Sequence, residues 1–347
     1  MNVVWEKGRI ILAVIFFLSL IIGTASFFYL KQNRLISPIV LTGINSIKPE
    51  EKPLEKYAIA ALQKREASPS AITFIKEIEN EKEYTSYSFF YYSLGKKVSG
   101  LANIPAKSGK LPVIIMLRGF VSQEIYTSGM GSKNSSTAFA KNGYITLAPD
   151  FLGYAESDKE SSEPLEARFE TYTTVMDLFD SLPNLNKAFS DKGMIMEADL
   201  SKIGIWGHSN GGHIALAYLE ISGKNYPTVL WAPVSKPFPF SVLYFSDEAE
   251  DRGKYLRKLI SDFEADYDSG RYSISSYLSY IQSPLQIHQG KQDQEVPYWW
   301  SDEFVDILES LDKGVSYYTY LSEDHNFTKG SWQTLIDRSI SFYDKYF

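Results

Sequence analysis

Ile203-Gly204-Ile205-Trp206-Gly207-His208-Ser209-Asn210-Gly211-Gly212-His213-Ile214-Ala215-Leu216 is the stretch that decides the fold. A strand-like apolar run enters a turn crowded with glycine, a helix-like run leaves it, and Ser209 stands at the apex. Glycines two before and two after the serine remove side chains that would collide in so tight a turn, and the hydroxyl is left projecting outward. This is the build of a nucleophile elbow, with Ser209 as candidate nucleophile. A glycine-rich turn that merely joins two elements has the same local pattern, so the rest of the chain must decide.

A serine hydroxyl is a weak nucleophile at neutral pH and needs a histidine base oriented by a carboxylate, in the chain order Ser, Asp or Glu, His. Downstream, Pro284 to Gln289 reads as a strand that runs into Gly290-Lys291-Gln292-Asp293-Gln294-Glu295-Val296-Pro297, which places Asp293 in the following loop. Val315 to Leu321 reads as a second strand ending in Ser322-Glu323-Asp324-His325, so His325 also follows a strand, where the catalytic ends of a parallel sheet gather. The chain has 4 histidines. His208 abuts the nucleophile and its side chain should diverge from it, His213 lies on the helix after the elbow, and His288 sits inside a strand, which leaves His325 as the base. Asp293 is the expected acid, and Glu295 and Asp324 are its competitors.

Acyl transfer puts negative charge on a carbonyl oxygen, which two hydrogen-bond donors must meet. The backbone N–H of Asn210, next after the nucleophile, is one candidate. The other comes from the loop after the apolar run Leu111 to Leu117, where Arg118-Gly119-Phe120 offers the Phe120 N–H. Tyr126, further along that loop, could offer its hydroxyl instead.

With these residues in place the chain resembles the α/β-hydrolase superfamily, and within it the catalytic domain of the prolyl oligopeptidase family of serine peptidases together with its esterase relatives. The resemblance covers about residues 84–347. It is carried by the hairpin around Ser93 to Leu101 leading to Asn103-Ile104-Pro105, by Arg118-Gly119, and by the Asp150-Phe151-Leu152-Gly153-Tyr154-Ala155-Glu156-Ser157 loop. Gly211-Gly212 after Asn210 and the spacing from Asp293 to Val296-Pro297 add to it. It implies a mostly parallel central sheet with helices on both faces and a Ser209-His325-Asp293 triad. Two features depart from the family pattern. The residues ahead of the hydrolase domain are too few for the β-propeller of the larger peptidases. Arg118 also stands where many relatives have histidine or tyrosine, and Asn210 where tyrosine is usual.

Composition sets further bounds. A chain of 347 residues with 44% hydrophobic content can bury a large core without metal or disulfide. The absence of cysteine excludes a thiol nucleophile and thiolate metal sites. A net charge of −7 argues against a nucleic-acid partner.

The uncharged run from Ile10 to Leu30 would span about 30 Å as a helix, the thickness of a hydrocarbon core. It reads as a transmembrane signal anchor behind a short tail, residues 1–9, with the hydrolase domain facing outward. A cleaved signal peptide, giving a secreted enzyme, is the rival reading. Residues 31–82 read as linker and a short amphipathic helix over Leu54 to Arg65, and residues 83–347 as the α/β-hydrolase domain. Helices are expected at 133–142, 166–182, 211–222, 298–312 and 331–346, alternating with strands. The aromatic-rich segment 234–283 interrupts that alternation and reads as a cap insert whose aromatics wall a substrate cleft or pack the insert onto the sheet.

The expected activity is cofactor-free hydrolysis of a small peptide or ester through an acyl-enzyme. A prolyl oligopeptidase-like serine peptidase is the leading reading, and a carboxylesterase on small or lipid-like esters the alternative. A catalytically silent binding protein on the same fold is a reading of a different class. Specificity resides in pocket shape, which triad residues do not disclose.

Overall fold

The apolar run Val113 to Leu117 alternates between two cores. In the computed structural model, which describes residues 52–248 and 251–347, Val113, Ile115 and Leu117 enter one buried cluster and Ile114 and Met116 the other. A strand buried on both faces has this continuous apolar signature, and it marks the middle of a covered parallel sheet. The expected anchor at Ile10–Leu30, the tail before it and most of the linker lie outside the described residues. Among the described residues no helix is long and apolar enough to cross a membrane.

The strands are β1 Thr73–Asn80, β2 Tyr84–Ser93, β3 Lys96–Pro105, β4 Gly109–Leu117, β5 Ile145–Pro149, β6 Met196–His208, β7 Thr228–Trp231, β8 Leu285–Gly290 and β9 Val315–Tyr320. They form one sheet in the order β1-β2-β3-β5-β4-β6-β7-β8-β9. The first three strands join the sheet antiparallel, and every pairing from β5 to β9 is parallel. The chain steps from β4 outward to β5 and then back across to β6. Strand order therefore reverses beside β4, and the crevice at the carboxyl ends of β4 and β6 is the place where such sheets take ligands.

The principal helices are α1 Lys133–Lys141, α2 Pro164–Ser181, α3 Asn210–Ser222, α4 Lys254–Asp266, α5 Tyr298–Ser310 and α6 Trp332–Tyr346. Phe139 of α1 and Leu335, Ile336, Phe342 and Tyr343 of α6 close one face. Phe169, Val175 and Leu178 of α2, the apolar residues of α3, and Phe304 and Leu308 of α5 close the other. Five of these helices stand within a few residues of the expected segments. The sixth, α4, belongs to the insert.

The sheet starts earlier than the expected domain boundary at 83. Strand β1 pairs with β2 through two register shifts, and Lys76, Glu77 and Glu79 leave it no apolar alternation to read. It is an edge strand, where exposed charges and irregular pairing discourage association with other edges. Upstream, short helical turns at Glu55–Tyr57 and Ile59–Leu62 bury Tyr57, Ile59 and Leu62 in the α2/α3 core. The insert is split in its packing. Phe238, Phe263 and Tyr272 turn inward around Phe169, whereas Phe240 and Tyr244 lie partly exposed against Trp300.

Candidate active site

The turn from β6 into α3 forces Ser209 to φ 55° and ψ −121°, a left-handed conformation that a side chain adopts only under strain of about 1–3 kcal/mol. Its glycines are sterically required. A Cβ on Gly207 would stand 2.7 Å from Gly211 O, and one on Gly212 would stand 2.7 Å from Pro233. The turn is held from β7: Ser209 N–H donates to Trp231 O at 2.9 Å, and Val234 N–H donates to Ser209 O at 3.0 Å.

Strand register then brings the neighbouring loop to the serine. Leu117 is paired with Gly207, so Gly119 falls beside Ser209. A Cβ there would lie 2.9 Å from the serine Cβ. The Phe120 side chain is 79% exposed, and its backbone N–H has no hydrogen-bond acceptor among the described residues.

Arg118, read in the sequence only as a departure from family pattern, has a defined task in the structure. It is 5% exposed, and its guanidinium donates to Gly119 O at 2.9 Å and to Asp150 O at 2.9 Å. The Tyr154 and Tyr126 rings lie 4.0 Å and 4.5 Å from it. In a trans peptide the C=O and the following N–H point in opposite directions. Holding Gly119 O on Arg118 thus turns the Phe120 N–H away from the clamp. The Tyr126 hydroxyl is not free to serve as the alternative donor, because it is engaged with Asp150 Oδ1 at 2.7 Å. Burial and the Asp150 charge push its pKa upward.

The loops after β8 and β9 bring Asp293 and His325 together. His325 Nδ1–H donates to Asp293 Oδ2 at 2.8 Å. The same oxygen accepts from Gln289 Nε2 at 2.9 Å, and Oδ1 accepts the Glu295 and Val296 N–H groups at 3.0 Å and 2.8 Å. Gln289 is buried and its own Oε1 accepts from Ser301, so it is a rigid support that no sequence pattern singled out. The competing acids are placed elsewhere. Asp324 accepts from Asn326 N–H, Thr328 N–H and the Thr328 hydroxyl within its own loop, and Glu295 is exposed.

The other histidines are buried, and burial lowers each pKa to about 3, so they are neutral. His208 Nε2–H donates to the His325 carbonyl at 3.2 Å, with ring centroids 4.7 Å apart. That contact sets the His325 loop against the elbow. His213 Nδ1–H donates to Val234 O at 3.1 Å while Nε2 accepts from the Tyr172 hydroxyl at 3.0 Å. His288 is bonded to Tyr320 and Gln286. Ser209 Oγ and His325 make no hydrogen bond to each other, a common state of such pairs before substrate binds.

A cavity of about 550 Å³ opens beside the elbow, and Asn210, Phe120, Arg118, Tyr154, Arg168 and Tyr172 are among its lining. None of its lining residues comes from the 234–283 insert. The insert's inward aromatics are instead used in packing against α2. Among the described residues no group of three or more His, Asp or Glu side chains could hold a metal ion.

Comparison with known proteins bears directly on this site. The model of the prolyl oligopeptidase family matches residues 130–347, a span that contains the elbow and the loops of Asp293 and His325. The chain belongs to the prolyl oligopeptidase family. It is thus a serine hydrolase with the α/β-hydrolase fold. A family-related protein, the uncharacterized peptidase YtmA of Bacillus subtilis strain 168, is 24% identical over 70% of this chain and 86% of its own length. Acetyl xylan esterase 1 from Thermoanaerobacterium sp. JW/SL YS485 superposes with a TM-score of 0.55 at 16% identity, over 84% of this chain and 93% of that one. The Pyrococcus horikoshii acylaminoacyl peptidase gives a TM-score of 0.55 at 20% identity, over 77% of this chain but 42% of that larger one. The likeness to both solved structures is one of fold.

Proposed function

We propose that this member of the prolyl oligopeptidase family is a serine peptidase that cleaves peptide or amide bonds, with Ser209 as nucleophile, His325 as general base and Asp293 as the orienting acid. The observation that carries the reading is the 2.8 Å bond from His325 Nδ1–H to Asp293 Oδ2 in loops set against a strained serine elbow. That bond fixes the proton on Nδ1 and leaves Nε2 to accept. On substrate binding Nε2 takes up a hydrogen bond from Ser209 Oγ. The serine oxygen then attacks the carbonyl carbon as its proton passes to Nε2. The Asn210 and Phe120 N–H groups receive the oxyanion. Collapse of this intermediate expels the amine, which takes the proton from His325 and leaves an acyl-enzyme. Water, deprotonated by His325, releases the acid and restores Ser209.

A carboxylesterase is the second reading. It draws on the fold likeness to acetyl xylan esterase 1, which spans 93% of that chain, whereas the acylaminoacyl peptidase is matched over 42%. The uncharged Ile10–Leu30 run supports a membrane-anchored form of either enzyme with its catalytic domain outside the cytoplasm. Carbonate extraction of membranes and N-terminal sequencing of the mature protein test that placement.

A fluorophosphonate should label Ser209 alone, and Ser209→Ala and His325→Ala should each lower turnover by about four to six orders of magnitude in a folded protein. Undiminished activity of purified Ser209→Ala overturns the assignment. Hydrolysis of p-nitrophenyl esters without cleavage of peptide anilides would select the esterase.

A further inference from the structure

We infer that the cleft beside the oxyanion position contains a subsite for a substrate carboxylate, with Arg168 as the recognising group; the inference rests on the serine-hydrolase reading above. Arg168 lies in the first half of α2 and lines the same cavity as Phe120 and Asn210. Its guanidinium is bonded to no described residue, and its Nε–H is shut off from solvent without an acceptor. A guanidinium carries five donors and is always charged, so an unpaired one against a cavity wall is an unfinished ion pair.

The acids around the cavity do not complete it. Glu170 is paired with Lys96 at 2.5 Å and accepts Ser161 N–H at 2.8 Å. Glu160 accepts from the Gln123 amide at 3.0 Å, and Glu124 from the Ser122 hydroxyl. Arg118 is the other cation of the lining, and both of its terminal nitrogens are committed to backbone carbonyls. The open charge is thus a single fork, which suits a carboxylate taken bidentately better than a phosphate dianion.

Its position relative to the chemistry follows from α3. His213 is one helical turn beyond Ser209, and Arg168 is the charged group whose field, after burial, disfavours protonation of His213. The same charge acts on Tyr172, bonded to that histidine. Arg168, Asn210 and His213 line one cavity, so the guanidinium shares that cleft with the first turn of α3. An anionic group a few bonds from the scissile carbonyl comes within its reach. The substrate class is an ester or amide with a carboxylate at the end of a short acyl chain, or a short peptide with a free C-terminal carboxylate on the departing side.

The experiment compares kcat/KM within two pairs on the purified full chain. Mono-p-nitrophenyl glutarate is set against p-nitrophenyl pentanoate, and an N-acylated tripeptide acid against its C-terminal amide. The wild-type protein should prefer the anionic member of one pair by about tenfold to a hundredfold, the span of a charge-assisted hydrogen bond. Arg168→Met should bring that ratio near one, Arg168→Lys should keep part of it, and added salt should compress it. Dependence in the ester pair puts the anion on the acyl side, and dependence in the peptide pair puts it on the departing side. Because both members are measured on one preparation, a loss of folded protein cancels from the ratio. Turnover of neutral substrate with ratios identical in wild type and Arg168→Met overturns the subsite alone. A wild-type chain inert toward all four substrates and unlabelled by fluorophosphonate overturns the hydrolase reading and the subsite with it.

Discussion

Two buried aspartates stand just beyond carboxyl ends of strands in this sheet, Asp150 after β5 and Asp293 in the loop after β8, and every carboxylate oxygen of both is hydrogen-bonded. Asp150 takes its bonds from Tyr126, Ser128 and Ser99 hydroxyls and from the Gly129 N–H. Asp293 takes two from backbone N–H groups and one from Gln289, and its remaining partner is an imidazole. Burial and hydrogen-bond satisfaction alone therefore do not mark a catalytic acid. The difference is that Asp293 gives one oxygen lobe to a group that can gain and lose a proton, whereas Asp150 spends its acceptors in tying the loop after β4 to β3.

Removing each carboxylate should separate the roles. Asp293→Asn is expected to lose about 10⁴ in kcat by favouring the wrong imidazole tautomer, with Glu295→Gln and Asp324→Asn losing far less. Equal losses at Asp293 and Asp324 would leave the acid unassigned. Asp150→Ala should instead appear as lost stability, about 2–4 kcal/mol by urea denaturation, because several buried donors lose their acceptor at once. An Asp150→Ala protein with the wild-type urea midpoint would break the comparison.

The Arg118 clamp joins the Asp150 end of β5 to the Gly119 turn beside Ser209, and its effect should be smaller. Arg118→Met frees the Gly119 carbonyl and lets the Phe120 N–H drift from its aim, so kcat should fall about tenfold to a hundredfold with little change in KM. Binding of a boronate transition-state mimic should weaken in proportion to kcat. Weakening of KM alone would show that Arg118 shapes the cleft rather than the donor.

An effect on stability alone, with no change in the catalytic groups, concerns the neutral histidines packed around this frame. Their folded pKa of about 3 lies below the ordinary histidine value of 6.5, so the unfolded chain binds more protons between those limits. The stability they contribute is fully present above about pH 6.5 and is lost as pH falls toward 3, at up to roughly 1.4 kcal/mol per pH unit for each. Urea midpoints between pH 7 and 4.5 should fall before carboxylates titrate. A flat profile over that range would contradict the burial reading.

What could be read along the chain was whatever chemistry is local. The elbow, the Leu94-Gly95 hairpin turn and the strand-then-loop settings of Asp293 and His325 depend on neighbours a few residues away, and the structure places them accordingly. Strand β1 was missed because an edge strand needs no apolar alternation, and its pairing is interrupted twice. Gln289 is not legible as a support because Asp293 and Ser301 reach it only through the folded path of the chain after β8, and Arg118 because Asp150 arrives from the end of β5. Tyr126 as an oxyanion donor failed for the same reason: only the fold reveals that Asp150 has claimed its hydroxyl.

The sequence by itself determined the strained turn at Ser209, since glycine spacing acts on adjacent atoms, and by element type and chain order it pointed to His325 as candidate base and to Asp293 as candidate acid ahead of Glu295 and Asp324. The tertiary structure decided which acid meets the histidine, which carbonyls Arg118 holds and that Arg168 meets no carboxylate among the described residues. Asp293 meets His325 and Asp150 meets Arg118 across 32 positions of chain in each case, brought together by strand order and register, and neither is written in any local pattern of side chains.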